Sequence, residues 1–430
     1  MPRVVLLGTL DTKGTEYAFL RDVLAGAGVD VTVVHAGVFA ASGISPDIDH
    51  QEVARRAGAD VQQLASAGDR GAAVAAMAEG AATLVAELHA AGRLDGILGL
   101  GGTGGTALAT RAMRELPVGV PKLMVSTVAS GDTRQYVGAL DIAMMYSVVD
   151  IAGVNKISRR ILANAAGAMA GMVTIGAASG VGSGSGSGAE SADRPLVGAT
   201  MFGVTTPCVQ AARRHLEDLG YEVLVFHATG TGGDSMEALA RAGMLAGVLD
   251  ITTTELADEL VGGVFPAGPG RLGGAGAAGI PQVVSVGALD MVNFGPPDTV
   301  PDRFSGRTFY QHNPSVTLMR TTVEECAELG RRLAERVGAV ESPVTVFLPL
   351  RGVSLIDTEG QPFHDPAADA ALFDAIRSGL PDRVRLVESD TDINDEAFAV
   401  QMAQALHEAI AAGGHTRNAA GRGTEKGASA

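Results

Sequence analysis

The sequence predicts an α/β protein made of two Rossmann-like domains, each with a doubly wound parallel sheet, and a cleft between the domains. Apolar runs that suit buried parallel strands alternate with amphipathic segments that suit helices. The same strand–helix–strand pattern occurs in both halves of the chain. A Gly/Ser-rich stretch at 179–194 cannot pack a core and predicts a linker between the halves.

The first domain, at 1–178, begins with the apolar run RVVLLG, which predicts a buried strand over 3–8. A turn follows, and the next segment predicts a helix. Four apolar residues share one face of that helix: Phe19, Leu20, Val23 and Leu24. The run VDVTVVHAG predicts a second strand over 29–37. Two later apolar runs predict further strands, LDGILGL at 94–100 and PKLMVST at 121–127.

The second domain, at 195–412, repeats this order. It opens with PLVGATMFG, continues through a predicted helix over 208–219 and reaches YEVLVFHATG at 221–230. A shift of 192 residues without gaps aligns Leu24 with Leu216, Gly28 with Gly220, and His35 with His227. The halves are therefore expected to share one topology, although any two strand–helix–strand units resemble each other to some extent. The polar, small-residue stretch at 413–430 predicts a disordered tail.

Composition and charge exclude several classes of protein. The chain carries a formal net charge of −16, whereas nucleic-acid binding needs clustered Lys and Arg, so no nucleic-acid partner is expected. Its two cysteines, Cys208 and Cys326, are too few for a disulfide framework and fit a reducing cytoplasm. The uncharged stretch at 161–188 is rich in Ala, Gly and Ser, and predicts a packing helix and a strand rather than a membrane span. We therefore expect a cytoplasmic protein without a membrane partner.

The strongest local signal is the glycine-rich loop GLGGTGGT at 99–106, which follows an apolar strand and precedes a predicted helix. Glycine loses more conformational freedom on folding than any other residue, so a glycine cluster is a poor choice for structure alone. It suits a backbone that approaches a ligand closely and points several N–H groups at it. At a helix N-terminus this arrangement favours a phosphate or a carboxylate, and a structural glycine-rich turn is the alternative.

Two familiar nucleotide-binding motifs do not fit this loop. An NAD-binding loop is followed by an acidic residue at the end of the next strand, but that strand ends in Ser126 and Thr127. A Walker A loop needs Gly-Lys-Ser/Thr, which this loop lacks. The hydroxyl groups of Ser126 and Thr127 are candidate donors to a polar ligand beside the glycine-rich loop.

Two further loops follow predicted strands. After the first strand, Lys13 can neutralise phosphate charge, and the Thr12 hydroxyl can donate to phosphate oxygens. Asp11 in the same loop can hold Mg²⁺ or orient a ribose, and plain helix capping is the alternative. In the loop at 126–133, Asp132 is a second candidate ligand of Mg²⁺, or part of a plain polar turn.

The second half of the chain offers weaker candidates. The stretch at 227–234 resembles another anion cradle, and its imidazole, His227, can act as an acid or base, although a lone histidine is more often structural. Strand ends supply the other candidate catalytic residues, which are Asp250, Glu255 and Arg351. Cys208, just inside a helix start, is either a nucleophile or a buried inert thiol.

Six strings spread over 3–410 are unusual in combination. They are GTLDTKG (8–14), GLGGTGGT (99–106), TMFGVTTPC (200–208), FHATGTGG (226–233), HNP (312–314) and PLRGVS (349–354). With them, the chain resembles the family of the ATP-binding domain of the tomato mosaic virus resistance protein. The resemblance implies a two-subdomain α/β fold, ATP binding with Mg²⁺, and self-association, expected as a homodimer.

The resemblance also implies nucleotide contacts at particular residues. These are Thr12 and Lys13, and along the glycine-rich loop Gly101, Gly102, Thr103, Gly104, Gly105 and Thr106. Three hypotheses for the function follow. The first is a soluble ATP-binding protein that holds the phosphates, with Mg²⁺, on the 99–106 loop. The second is an enzyme that acts on a small phosphorylated or carboxylated metabolite in the interdomain cleft, and the third is a ligand-sensing module without turnover.

Overall fold

The structure is a computed structural model, and it describes residues 1–179 and 194–421 of the chain. The chain divides into two compact units, unit 1 at Met1–Glu190 and unit 2 at Ser191–Ala430. The division falls inside the expected linker, of which residues 180–193 lie outside the described residues. The predicted α/β class with parallel sheets is confirmed in both units.

Unit 1 contains one parallel sheet. Its strands are β1 (Arg3–Gly8), β2 (Asp30–His35), β3 (Gly96–Gly101), β4 (Lys122–Ser126) and β5 (Ile142–Tyr146). They lie in the order β2-β1-β3-β4-β5. The direction of winding therefore reverses between β1 and β3. Ligands of such sheets bind beyond the carboxyl ends of the strands at this reversal.

Helices cover both faces of this sheet. They are α1 (Leu10–Gly26), α2 (His50–Arg56), α3 (Val61–Ser66), α4 (Arg70–Ala90), α5 (Thr103–Met113), α6 (Arg134–Val137) and α7 (Lys156–Ser179). Val5 and Leu7 of β1 join the core that includes residues of α4 and α5. The alternate residues Val4 and Leu6 join the core that includes residues of α1 and α7. Burial on both faces explains why β1 is a continuous apolar run.

Helix α7 differs from the helix and strand expected over 161–188. The structure has one helix as far as Ser179, because apolar residues recur at helical spacing and are buried. These residues are Leu162, Ala165, Ala166, Met169 and Val173. Helix α4 is long and apolar enough to cross a membrane, and half of its apolar window is buried inside the protein. A core helix of a soluble protein passes the same test, so α4 is weak evidence for a membrane span.

Unit 2 is larger and contains two sheets. Its strands are β6 (Leu196–Met201), β7 (Glu222–His227), β8 (Gly247–Thr252), β9 (Gln282–Gly287), β10 (Met291–Phe294), β11 (Phe309–Asn313), β12 (Val316–Arg320), β13 (Val344–Pro349) and β14 (Arg385–Ser389). The parallel sheet has the order β14-β13-β9-β8-β6-β7. Its strands β7-β6-β8-β9-β13 follow the order of the sheet of unit 1, and the winding reverses between β6 and β8.

The helices of unit 2 pack on this parallel sheet and on the smaller sheet. They are α8 (Thr206–Asp218), α9 (Thr231–Arg241), α10 (Glu255–Val261), α11 (Gly274–Ala278), α12 (Val323–Gly338), α13 (Pro366–Gly379) and α14 (Glu396–Gly421). Helix α14 continues through residues 413–421, where a disordered tail is expected. Its buried residues, such as Phe398 and Met402, anchor the helix, and extending a formed helix costs little. Residues 422–430 lie outside the described residues.

The smaller sheet of unit 2 is antiparallel, in the order β10-β12-β11, and no sequence pattern predicts it. The stretch that contains Arg307 and residues 312–314 is polar and shows little periodicity. This fits β11, an edge strand whose side chains are mostly exposed. Without one buried face, a strand has no apolar alternation to reveal it.

Candidate functional site

A pocket of about 860 Å³ lies in unit 1 at the point where the winding of the sheet reverses. The residues that follow β1 and β3 line one part of it, and the first turns of α4 line another. The N-termini of α1, α4 and α5 therefore open into the same pocket. The structure brings together in it the candidate residues Asp11, Thr12, Lys13, Gly102, Thr103, Gly104 and Gly105.

The first turn of α5 presents free main-chain N–H groups to this pocket. The first hydrogen bond of the helix runs from the Thr106 amide to the Gly102 carbonyl, at 2.8 Å. Within the described residues, the amides of Thr103, Gly104 and Gly105 have no protein acceptor. The first amides of a helix lack an intrahelical partner, and Gly102, as the N-cap residue, has no side chain to supply one.

Close packing explains why glycine is needed at only some positions of the glycine-rich loop. A Cβ atom added at Gly99 would lie 2.9 Å from the side chain of Ala109, so the fold requires glycine there. A Cβ atom added at Gly101 would lie 2.9 Å from the backbone of Gly105, and the same conclusion holds. These two glycines let β3 and α5 approach each other closely.

No close packing of this kind requires the other three glycines of the loop. A Cβ atom added at Gly102, Gly104 or Gly105 would meet no described neighbouring atom closer than 3.6 Å. None of the three has a positive φ. Neither packing nor backbone conformation therefore requires glycine at these positions. The remaining explanation is that glycine, which has no side chain, lets a ligand come close to the backbone at these positions.

The start of α1 forms the other polar side of the pocket. Thr12 is exposed at its rim. One carboxylate oxygen of Asp11 accepts from the Phe39 amide at 3.3 Å, and the other is buried without a partner among the described atoms. The Lys13 ammonium donates to the Ile151 carbonyl at 2.6 Å. The pocket thus has a carboxylate and an ammonium on one side and free amides on the other.

His35, at the end of β2, holds this side of the pocket in place. Its Nδ1 accepts from the amides of Leu10, at 3.2 Å, and Gly37, at 3.1 Å. The proton must then be on Nε2, which lies 2.7 Å from the Phe39 carbonyl and donates to it. The buried imidazole ties the start of α1 to the loop after β2. No local sequence pattern indicates this role, because the partners lie in different segments.

Arg70 is a second cation on the pocket wall, and it is not among the candidate residues that the sequence patterns indicate. In the part of the chain that the structure describes, its guanidinium makes no ion pair. Asp69 caps α4 by accepting from the Ala72 amide at 2.9 Å. An Asp before an alanine-rich run is a helix-start signal, and it would have placed Arg70 at a helix N-terminus. Apolar side chains complete this wall: Leu64, Val74, Met77 and Leu108.

Three residues expected to contact a nucleotide support the pocket instead. The hydroxyl oxygens of Thr106 and Ser126 lie 2.7 Å apart, and both residues are fully buried. Their bond joins α5 to β4, so it leaves neither hydroxyl facing a ligand. Gly101 serves packing, as described above. Thr127 is not among the lining residues, although its hydroxyl oxygen is the nearest atom to a Cβ added at Gly102, at 3.7 Å.

The structure places the two candidate magnesium ligands, Asp11 and Asp132, in different surroundings. Asp132 lies outside the pocket and is bound by Arg134, whose side-chain hydrogen bonds lower the pKa of that carboxyl to about 2. The described residues contain no group of three or more His, Cys, Asp or Glu side chains arranged to hold a metal ion. Asp11 is therefore the candidate metal ligand that lines the pocket.

In unit 2, the protein itself fills the anion cradle expected at 227–234. The amides of Gly230 and Gly233 donate to one carboxylate oxygen of Glu255, at 2.8 and 3.1 Å. A Cβ atom added at Gly233 would lie 2.3 Å from the other oxygen. Glu255 is the first residue of α10, and its carboxylate occupies the N-terminus of α9. The interpretation of 227–234 as a free anion site is therefore wrong.

Arg271 holds Glu255 and two further carboxylates in a fully buried cluster. Its guanidinium donates to Glu255 at 2.6 Å, to Asp250 at 2.7 Å and to Glu237 at 3.2 Å. Burial removes the hydration of these carboxylates and raises the pKa of Glu237 and of Glu255. Asp250 and Glu255 were candidate catalytic residues, and the structure instead gives them a structural role sealed from substrate.

The remaining candidates form no catalytic set in the described residues. His227 is exposed at the end of β7, with its ring 5.3 Å from that of Phe202. Arg351 is exposed and bound to Asp390 at 2.7 Å. Burial raises the pKa of the Cys208 thiol, which keeps it protonated and inert at neutral pH.

A second buried cluster in unit 2 predicts a dependence of stability on pH. Asp290, Asp357 and Asp369 are buried around Arg320. Burial raises the pKa of Asp290 to about 6 and that of Asp357 to about 9. In the folded state each group keeps its proton at pH values where the unfolded chain has lost it. The free energy of unfolding therefore falls as pH rises from the ordinary pKa of 3.8 towards the folded values.

We expect Asp357→Asn to make this decline shallower between pH 6 and pH 8. The variant has no carboxyl group to ionise at this position. Its free energy of unfolding should therefore fall by up to about 1.4 kcal/mol less per pH unit than that of the wild type. Urea unfolding at several pH values measures the slope. Asp382→Asn, at an exposed position, is the control and should leave the slope unchanged. Equal slopes for Asp357→Asn and wild type would show that Asp357 is ionised in the fold.

The fold and the pocket define an α/β protein of two Rossmann-like units, with an open pocket at the sheet reversal of the first unit. Comparison with known families identifies it further. The chain belongs to the uncharacterised protein family UPF0261: residues 2–178 match the N-terminal domain of that family, and residues 194–410 match its C-terminal domain.

Relatives match nearly the whole chain. A UPF0261 protein from Clostridium tetani is 50% identical over 94% of this chain and 98% of its own length. In Solanum lycopersicum, the ToMV susceptible protein tm-1(GCR26) and the ToMV resistance protein Tm-1(GCR237) are each 41% identical over 96% and 93% of this chain. The chain spans about half of these tomato proteins, 56% and 54%. The relationship to the tomato protein that the six strings indicate is thus confirmed.

Solved structures are more distant. A UDP-N-acetylglucosamine 2-epimerase from Rickettsia bellii is 12% identical, with a TM-score of 0.24 over 62% of this chain and 78% of its own. MurG from Acinetobacter baumannii is 11% identical, with a TM-score of 0.21 over 94% of this chain and 99% of its own. Similarity at this level carries no argument about ligand or reaction.

Proposed function

We propose that this chain is a cytoplasmic nucleotide-binding protein that holds ATP, with Mg²⁺, in the pocket of unit 1. The observation that carries the proposal is the start of α5. There the amides of Thr103, Gly104 and Gly105 have no acceptor within the described residues, and no packing constraint explains the glycines. Free N–H groups at a helix N-terminus favour a phosphate. The family resemblance based on the six strings implies that the compound carrying this phosphate is ATP.

The charges around the pocket support a ligand with several negative charges. A helix N-terminus carries roughly half a positive charge, and the N-termini of α1, α4 and α5 open into the pocket. Lys13 and Arg70 add two formal positive charges. Asp11 and Asp69 offset part of this potential, at the starts of α1 and α4. A polyphosphate interacts with the remaining potential more strongly than a single carboxylate does.

The apolar part of the pocket lining suits the uncharged part of a nucleotide. Leu64, Val74 and Met77 give the pocket an apolar surface. Phe39, on the loop after β2, lines the pocket and is 61% exposed. Stacking of a base on an aromatic ring contributes about 1–3 kcal/mol. We therefore assign the phosphates to residues 102–105 and the base to the apolar lining and the ring of Phe39.

The donor set fits a magnesium ion held largely by the nucleotide. Mg²⁺ usually keeps several waters and takes one or two carboxylates together with phosphate oxygens. Asp11 supplies one carboxylate, with a buried oxygen that has no partner among the described atoms. We propose Asp11 as the protein ligand, with phosphate oxygens and water in the other positions. Such an ion would also offset the repulsion between Asp11 and the phosphates.

Isothermal titration calorimetry with Mg-ATP tests the proposal. We expect one ATP per chain, because Glu255 fills the comparable amides of unit 2. Arg70→Met should weaken binding about tenfold, since a hydrogen bond to a charged group contributes about 1.5–3 kcal/mol. The variant should also lower the salt dependence of the affinity.

Arg93→Met is the matched control for this experiment. Arg93 is exposed on the turn after α4 and does not line the pocket, so the same change of charge should leave the affinity unchanged. Absence of ATP binding by the wild type at millimolar concentration would refute the proposal. Binding of two molecules per chain would refute the assignment to unit 1 alone.

The enzyme hypothesis has less support than binding. Its candidate residues, His227, Asp250, Glu255 and Arg351, all belong to unit 2. The described lining of the unit 1 pocket includes Asp11, Asp69 and Lys13 but no His, Cys or Ser side chain. A sensing module without turnover uses the same pocket and is distinguished by the absence of product. The homodimer implied by the resemblance stays a prediction, which light scattering on the purified chain tests.

A further inference from the structure

The segment at 147–155, which we call the strap, joins β5 to α7 and has no regular secondary structure. Its end at Gly153 and Asn155 is hydrogen-bonded to the first turn of α7, and three further hydrogen bonds, at 3.1, 2.6 and 2.6 Å, join the strap to β4 and α1. They join Ser147 to Ser126, Ile151 to Lys13, and Gly153 to Glu16. The Ile151 side chain is buried, whereas Val148 is 61% exposed and has a φ of 63°, which β-branched residues rarely adopt. Towards β4 and α1, the strap is therefore held by the buried Ile151 side chain and these three hydrogen bonds.

Lys13 belongs to both the pocket and the strap. Its side chain lines the pocket, and its ammonium donates to the carbonyl of Ile151, which is not a lining residue. An ammonium group has three N–H donors on a flexible stem, and it can turn from one acceptor to another. The position of this ammonium therefore depends on which acceptor attracts it more strongly.

We propose that binding of phosphate groups in the unit 1 pocket draws the Lys13 ammonium away from the Ile151 carbonyl and loosens the strap. This inference rests on the proposed function and extends it to regulation of the same site. An ammonium forms a stronger hydrogen bond with an ionised phosphate than with a neutral carbonyl. Once that bond is lost, two of the three hydrogen bonds to β4 and α1 remain, those of the Ser147 and Gly153 amides.

A second path of contacts joins the strap to the other side of the pocket. The Ser147 amide donates to the Ser126 carbonyl, and the Ser126 hydroxyl bonds to Thr106 in the first turn of α5. The strap therefore contacts Ser126, which supports one polar side of the pocket, and Lys13, which belongs to the other. Coupling of this kind is reciprocal, so a looser strap must also change the affinity for the phosphate compound.

Hydrogen exchange of the full chain, read by mass spectrometry on peptides covering 147–155, tests the proposal. With saturating Mg-ATP, we expect wild-type amides of the strap to exchange about tenfold faster, in line with the loss of one hydrogen bond to a charged donor. Lys13→Met should show the faster exchange without ATP. Lys156→Met is the matched control: it removes the same charge from an exposed lysine just after the strap, and exchange should stay slow.

Equilibrium dialysis of ATP against the same wild-type sample separates the two proposals. If ATP does not bind, the proposed function fails, and the coupling fails with it. If ATP binds while exchange at 147–155 is unchanged or slower, the coupling is wrong and the binding stands. Slow exchange in Lys13→Met without ATP would also overturn the coupling. Peptides from β1 and β3 report whether that variant is folded, and the wild-type comparison holds in either case.

Discussion

Replacing Gly104 and Gly105 together by Ala should stabilise unit 1 and abolish nucleotide binding. Each added methyl group has no described neighbouring atom closer than 3.6 Å, so the fold accommodates both. Alanine is favoured over glycine within a helix by about 1 kcal/mol, and both residues lie in the first turn of α5. The methyl groups would stand where phosphates approach the amides. Stability and binding should therefore change in opposite directions.

The expected loss of affinity is at least about a hundredfold. A hydrogen bond to a charged group contributes about 1.5–3 kcal/mol, and each 1.4 kcal/mol is about tenfold in affinity. A ligand moved away from the start of α5 loses two or more such bonds. Calorimetry with Mg-ATP measures the loss of affinity, and thermal unfolding without ATP measures the gain in stability.

Gly26→Ala is the matched control for this double variant. Gly26 is the last residue of α1, and a Cβ atom added there meets nothing within 4 Å. This substitution should leave the affinity for ATP unchanged. A Gly104→Ala/Gly105→Ala protein that binds ATP as the wild type does would refute the anion site. A strongly destabilised one would show that these glycines serve packing after all.

Replacing Arg271 by Met should destabilise unit 2 by about 3–5 kcal/mol at neutral pH. The Arg271 guanidinium is fully buried and faces the carboxylates of Glu237, Asp250 and Glu255. Removing one partner of a buried ion pair leaves an uncompensated charge in a medium that solvates it poorly. Here several carboxylates lose the same cation at once. Denaturant unfolding measures the change.

Mild acid should reverse part of this loss. Burial already raises the pKa of Glu237 and of Glu255, and without Arg271 their carboxyl groups should take up protons more readily. The folded variant then binds more protons than the unfolded chain, so its free energy of unfolding should rise as pH falls. Arg241→Met, at an exposed position in the last turn of α9, should be neutral. A stable Arg271→Met protein would show that the cluster does not hold unit 2 together.

Short-range patterns were sufficient to predict much of the fold. Buried parallel strands are continuous apolar runs, so the strands around 3–8 and 94–100 are visible in the sequence, as is the glycine cluster that follows the second. The confirmed α/β class depends on these patterns alone. The antiparallel sheet was missed, and for one of its two edge strands, β11, the reason is that it has no buried face to give an alternating pattern.

Contacts between distant segments could not be predicted in the same way. The loops at 99–106 and 227–234 look alike in sequence, yet a carboxylate fills only the second. Nothing near Glu255 indicates that its side chain folds back onto the amides of Gly230 and Gly233. Arg70 likewise reaches the pocket only because the start of α4 opens beside the start of α5.

Because a carboxylate of the chain itself fills the cradle of unit 2, the two units should respond differently to the surrounding solution. An anion that is part of the chain cannot be diluted away, so unit 2 keeps its counter-charge at every solute concentration. A freely dissolved nucleotide stabilises its host only in proportion to the logarithm of its abundance. If unit 1 binds ATP as proposed, a fall in nucleotide concentration should lower the stability of unit 1 and leave the stability of unit 2 unchanged.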